Sequence, residues 1–167
     1  TTGGPRVKLN GALTTGGAVR SGSVTYSPDG TRVVYIADQQ TDEVFELFSV
    51  PVVGGVNTKL NAPLASDRDV DTSATTIPDS NRVLFIADQD TNDVFELYSV
   101  PLLGGATTKL SDPLVTDGFI QSFVISPDGD RVVYVASRNV VDQFELFSVA
   151  VVGGAVTAVS GALVSGG

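Results

Sequence analysis

The 167-residue chain contains no Cys, His, Met or Trp, and each absence removes a class of chemistry. Without Cys there are no disulfides, thiol nucleophiles or thiolate metal sites. Without His there is no imidazole ligand and no general base that titrates near neutrality in its unperturbed state. No run of about 18 apolar residues is present to span a bilayer as a helix, and no signal peptide stands at Thr1. Positive charge is scarce: 10 Lys plus Arg face 19 Asp plus Glu, a net charge of -9. Neither nucleic acid nor membrane insertion is therefore expected. The missing Met and the acidic, Thr/Ser/Gly/Val-rich, Lys-poor composition suggest a mature secreted protein or a piece excised from a longer one. We expect an extracytoplasmic location: periplasm, cell surface or secreted.

What the chain does contain is one unit written three times. Val44-Phe45-Glu46-Leu47-Phe48-Ser49-Val50-Pro51 with Gly54-Gly55 returns as Val94-Phe95-Glu96-Leu97-Tyr98-Ser99-Val100-Pro101 with Gly104-Gly105. It returns again as Phe144-Glu145-Leu146-Phe147-Ser148-Val149 with Gly153-Gly154. Ser27-Pro28-Asp29-Gly30, Ile77-Pro78-Asp79-Ser80 and Ser126-Pro127-Asp128-Gly129 keep the same step, each followed by an arginine (Arg32, Arg82, Arg131) and an apolar run. A period near 50 residues belongs to propellers and solenoids, whose units bury their faces against their neighbours. With 42% apolar residues the chain is expected to fold rather than stay disordered.

Within each unit the apolar runs are short, rich in Val, Ile, Tyr and Phe, and separated by turn residues, and no helical period survives. In the first unit this predicts strand a over 23–27, a turn at Pro28-Asp29-Gly30, strand b over 32–37 and a loop over 38–42. Strand c then covers 43–50, a Gly54-Gly55 turn follows, and strand d covers 57–61. Four strands per unit make one propeller blade. Pairing strands b and c across the loop sets Tyr35 opposite Phe45 and Val33 opposite Leu47, with Val34, Ile36 and Phe48 on the other face. Both faces are apolar, as expected of a blade stacked on both sides and not of a sheet covered on one. A β-sandwich would explain neither the constant step nor the two-sided burial.

The Ser27-Pro28-Asp29-Gly30 turn with Val33-Val34-Tyr35-Ile36, and Ser126-Pro127-Asp128-Gly129 with Val132-Val133-Tyr134-Val135, closely resemble the TolB-type propeller repeat. The resemblance covers nearly the whole chain and departs from the pattern at Ser80, where the turn Gly is lost, and at Ser137-Arg138-Asn139, where the acidic loop is lost. It implies an all-β fold of propeller blades: an orphan strand d in 1–13 and blades over 20–64, 70–114 and 118–167. It also implies a ring of six blades, of which three repeats would be half. For function it implies less, because such blades occur in periplasmic adaptor proteins, in the gating domains of serine peptidases and in secreted proteins of unknown role.

Three blades leave two apolar faces open, so the chain is expected to associate with itself. Gly3-Gly4-Pro5-Arg6-Val7-Lys8-Leu9-Asn10 aligns with Gly54-Gly55-Val56-Asn57-Thr58-Lys59-Leu60-Asn61. One strand d is therefore surplus, either the one carrying Val7, Lys8 and Leu9 or the closing one with Val156 and Val159. Exchange of these strands between copies would give a dimeric ring, or a polymer if the contact does not close.

Two kinds of site can be named. Asp88, Asp90 and Asn92, with Asp38 and Asp42 in the previous unit, place alternate oxygen ligands on tight loops. Calcium could be held in this way, and a plain turn uses the same residues. The loops before strand a and between b and c emerge on one face, which collects Arg20, Asp67, Arg68, Asp69, Asp117 and Phe119 and is where a protein partner would be sought. Glu46, Glu96 and Glu145 lie inside apolar strands and need partners; Arg32, Arg82 and Arg131 are the expected ones. No hydroxyl has a His to activate it, and a Ser-Lys dyad would have to draw on Lys8, Lys59 or Lys109. The expected function is a non-catalytic propeller module, a protein-binding or self-assembly scaffold. Its alternatives are an extracellular filament-type subunit polymerising by strand donation and the propeller segment of a larger secreted hydrolase.

Overall fold

Apolar runs of six residues form the two central strands of each of three antiparallel sheets of four strands. The computed structural model describes residues 6–78 and 81–161, apart from the Thr72 side chain. The first sheet is β1 (Thr25–Tyr26), β2 (Arg32–Ala37), β3 (Glu46–Pro51) and β4 (Thr58–Lys59). The second is β5 (Val70–Thr76), β6 (Arg82–Ala87), β7 (Glu96–Pro101) and β8 (Thr108–Lys109). The third is β9 (Ile120–Ile125), β10 (Arg131–Ala136), β11 (Glu145–Ala150) and β12 (Thr157–Ala158). Each sheet is a meander in which every strand neighbours the next in sequence, and no helix occurs among the described residues. The paired glycines turn strand c into strand d with positive φ, 87° and 139° at Gly54 and Gly55, a conformation that costs glycine little.

The sheets stack face to face. Val34, Ile36, Leu47 and Leu60 of the first sheet pack on Val83, Phe85, Tyr98 and Val100 of the second, all at most 1% exposed. Leu84, Ile86, Leu97 and Leu110 of the second pack in the same way on Val132, Tyr134, Phe147 and Val149 of the third. The blade reading of the repeats holds, with both faces buried in the first two sheets and one face in the third, whose Leu146 is exposed.

The register of the central hairpin differs from the sequence expectation. Tyr35 faces Phe48, Ile36 faces Leu47 and Val33 faces Val50, so strand c slides three residues and its faces exchange. The reason lies in the neighbouring sheet. The Phe45 N–H donates to Asp69 Oδ1 at 2.7 Å and its carbonyl accepts Val70 N at 2.8 Å, so the backbone of Phe45 serves the next blade and strand c begins at Glu46. The true register brings aromatic pairs together in each sheet: Tyr35–Phe48, Phe85–Tyr98 and Tyr134–Phe147, with centroids 5.4–5.6 Å apart.

The new register also reassigns the charged residues of the sheets. Glu46 does not meet Arg32; it pairs with Lys59 of strand d at 2.7 Å, and Glu96 pairs with Lys109 at 2.5 Å. Arg32 and Arg82 donate instead to Ser49 and Ser99. Those hydroxyls in turn donate to Leu102 O (2.7 Å) and Val151 O (2.6 Å) of the following sheet. Arg131 donates to Ser148 in the third sheet. An Arg, Ser and carbonyl chain thus ties each sheet to the next, while within the first two sheets strand c is joined to strand d by the Glu–Lys pair.

Candidate functional site

The residues expected on one face come from the segments that lead into β1, β5 and β9. Arg20 follows Val19, which bridges to Ala37. Its guanidinium lies 3.8 Å from the Phe45 ring centroid and its Nη1 donates to Val70 O at 3.1 Å. Because Asp69 accepts the Phe45 N–H, Arg20 and Asp69 meet around Phe45 at the junction of the first two sheets. Arg68 donates to Gln89 O (2.8 Å) and Asp90 O (3.2 Å), which pins the second acidic loop. Phe119 is 40% exposed and meets Phe144 edge to face at 5.3 Å. Asp67 and Asp117 are exposed turn residues, Asp117 with φ at 62°. The structure therefore gathers Arg20 and Asp69 around Phe45 and bonds Arg68 to the backbone of Asp90, and it leaves Phe119, Asp67 and Asp117 open to solvent.

In the acidic loops Asp38 and Asp88 are buried at 2% exposure. Asp38 Oδ1 accepts Ala18 N, while Asp88 accepts Asp69 N (2.6 Å) on one oxygen and Asp93 N (3.1 Å) on the other. In the third repeat Ser137 Oγ takes the equivalent N–H, that of Phe119, at 3.1 Å. One clamp therefore recurs in all three units, joining the end of strand b to the entry of strand a, with Asp or Ser as acceptor. Asp42, Asp90 and Asn92 are exposed. Asp90 lies 3.5 Å from Lys109 Nζ, and Asn92 donates to Asp93. Among the described residues no group of three or more His, Cys, Asp or Glu side chains converges as metal ligands would.

Sequence reasoning missed two features. A cleft of about 540 Å³ runs between β5 and β9, lined by Ser73, Thr75, Gln121, Phe123 and Val124; its signal was the polar run Asp71-Thr72-Ser73 and the Gln121-Ser122 pair in otherwise apolar strand positions. The second is the pairing of Glu with the strand-d lysines. Its signal was the recurrence of Lys8, Lys59 and Lys109 at one repeat position, with Ala158 at the fourth. Around this pair the Tyr98 hydroxyl donates to Glu96 Oε2 at 3.2 Å. Burial first, and then the nearby Glu96 and Asp90 charges, push its pKa well above the usual phenol value.

The Pro-Asp-Gly turns contribute to the acid sensitivity of the fold. The Asp29 carboxyl is held below its ordinary 3.8 by the Ser27 hydroxyl and the Thr31 N–H. Asp128 is held below the same value by the Ser126 hydroxyl and the Asp130 N–H. A carboxyl whose folded pKa is depressed stabilises fully above its unfolded value and loses that stabilisation as pH falls through the folded one. Melting temperature is thus expected to drop as pH falls below about 3.8, and Asp29→Asn with Asp128→Asn to shrink that drop. Parallel pH profiles for the two proteins would contradict this.

No family model matches the sequence, and no curated protein does either. Solved structures do resemble the fold. The putative TolB of Agrobacterium tumefaciens matches with a TM-score of 0.57 at 22% identity, over 80% of this chain and 46% of that one. TolB of Acinetobacter baumannii matches at 0.56 and 16% identity, over 84% and 32%. A puromycin-hydrolysing peptidase of Mycobacterium tuberculosis matches at 0.56 and 13%, over 83% and 20%. This chain spans less than half the length of each. At such identities the likeness shows the fold, which is that of an all-β propeller.

Proposed function

We propose that this chain is a non-catalytic propeller module of TolB type, a binding or assembly scaffold that completes a ring of six blades with a second copy of itself outside the cytoplasm. The observation that carries the reading is the outer face of the third sheet. Leu47 and Leu97 are 0% exposed beneath a following sheet, whereas Leu146, at the same repeat position, is 41% exposed and Val159, in the place of Leu60 and Leu110, is 57% exposed. Apolar blade faces of this kind are covered in closed propellers. The acidic composition and the absence, among the described residues, of any helix long and apolar enough to cross a membrane accord with an extracytoplasmic scaffold. Sedimentation equilibrium at micromolar concentration tests the reading: twice the monomer mass is expected. A well-folded monomer would overturn it and favour the second reading, the propeller segment of a larger hydrolase, which the likeness to the puromycin-hydrolysing peptidase supports.

A further inference from the structure

We infer that residues 7–10 supply strand d to the third blade of a second copy, where Lys8 forms the ion pair that Glu145 lacks. The inference rests on the ring reading above and specifies which strand is exchanged.

The charges point to it first. In the first two blades a strand-d lysine neutralises the strand-c glutamate, Lys59 with Glu46 and Lys109 with Glu96. In the third blade that lysine position is Ala158, and among the described residues Glu145 meets Asn139 Nδ2 at 3.3 Å and no cation. Lys8 stands at the same repeat position as Lys59; it is exposed and makes no ion pair among the described residues. One chain thus carries a strand-d lysine without a glutamate and a strand-c glutamate without a lysine. A half-buried carboxylate and a free ammonium that fit one motif attract and set register.

Packing points the same way. Residues 7–10 form no strand in this chain, against the sequence expectation, because the strand c they would pair with is not among its own strands. They are nevertheless seated on the first blade as strand d of a preceding blade would be. A Cβ at Gly54 would lie 2.8 Å from Val7 Cγ1, as one at Gly104 would lie 2.9 Å from Thr58 Cγ2 and one at Gly153 2.7 Å from Thr108 Cγ2. Leu9 packs on Val33, Tyr35 and Phe48, the place that Leu60 and Leu110 take on the next two blades. Its carbonyl accepts Asn57 Nδ2 at 2.8 Å. Asn10 donates to Gly11 O just as Asn61 donates to Ala62 O; Asn61 also accepts Leu47 N, so Asn10 is posed to accept the N–H of Leu146 in another copy.

Among the described residues, β12 and the two residues after it stand in the way, Val159 N donating to Leu146 O at 2.8 Å and Ser160 Oγ accepting Leu146 N at 3.2 Å. Both residues of β12 are exposed, and it holds β11 through two residue pairs, Phe147 with Ala158 and Ser148 with Thr157. Once this segment is displaced, the open third blade of one copy meets the first blade of the other. Ser148, which accepts from Arg131 as Ser49 and Ser99 accept from Arg32 and Arg82, then reaches a carbonyl at the position of Val52, the repeat equivalent of Leu102 and Val151. Two such contacts, each heterologous and related by a twofold axis, close the ring.

Charge reversal tests the exchange in the full chain. Lys8→Glu alone and Glu145→Lys alone each place like charges at both contacts, and each is expected to raise the dimer dissociation constant about tenfold or more. An equimolar mixture of the two places opposite charges at both contacts, so it is expected to dimerise as the wild type does. The double variant K8E/E145K is expected to recover likewise. Both side chains lie at the surface or half-buried, and far-UV circular dichroism of each variant monitors the fold. If the wild type dimerises and the single variants dimerise equally well, or the mixture fails to recover, the exchange is refuted while the ring stands. A monomeric wild type refutes the ring itself.

Discussion

Replacing Lys109 with methionine is expected to destabilise the chain by about 3 kcal/mol, because Glu96 is left charged and buried without its partner. Glu96 is 3% exposed, and its Oε2 accepts from Lys109 at 2.5 Å and from the Tyr98 hydroxyl at 3.2 Å. The lysine is the group that neutralises it; the phenol supplies only a hydrogen bond. The second substitution of a cycle, Glu96→Gln in the Lys109→Met background, is expected to recover most of the loss, since the desolvated charge is then gone. Glu145 provides the internal control. It is half-buried with no lysine beside it, so Glu145→Gln in the dissociated chain should change stability by about 0.5 kcal/mol or less. Denaturant midpoints at a common slope measure all four proteins. A Lys109→Met cost no greater than that of Glu145→Gln would mean that the pair contributes nothing.

A comparable effect is expected where the chemistry is identical and only the cover differs. Leu47, Leu97 and Leu146 occupy one repeat position, but the first two are 0% exposed under a following sheet and the third is 41% exposed. Leu47→Ala and Leu97→Ala should each cost about 2–5 kcal/mol, the transfer of the lost methyls plus the cavity left between two sheets. Leu146→Ala should cost under about 1 kcal/mol in a dilute, dissociated sample, because water already reaches that site. At concentrations where copies associate, its effect should reappear as weaker association. Equal losses at all three positions in dilute solution would show that the third blade is already covered within the chain.

The Arg, Ser and carbonyl chain explains why the strand-c serine recurs inside an apolar run. Ser49 and Ser99 are 0% exposed, and each converts an arginine on its own sheet into a hydrogen bond to the next. This leaves the guanidinium of Arg82 in a poorly hydrated place, where burial lowers its pKa somewhat. Sheet stacking is therefore directional: the donor side is always strand c and the acceptor side the turn after the next strand c. In the proposed ring the same direction would make the third blade the donor side and the first the acceptor side.

The sequence by itself determined the repeat, the strand count per unit, the exact span of strand b and the placing of the turns. Those depend on local chemistry: Pro-Asp-Gly and Gly-Gly fix backbone torsions within a few residues, and a period of about 50 residues is a pattern of identities. It also showed that both faces of strands b and c are buried. That same two-sided apolarity hid the register, because sliding strand c by an odd number of residues still buries apolar groups on both faces. The register, and with it the partners of every Glu and Arg in the sheets, was decided by the tertiary structure. The backbone of Phe45 is drawn to Asp69 and Val70 of the next blade, a contact between residues about 24 positions apart that no local propensity encodes. Stacking likewise decided the place of residues 7–10. Their sequence declares a strand d, but a strand requires a neighbour to accept its hydrogen bonds, and among the described residues they rest on the face of the first blade.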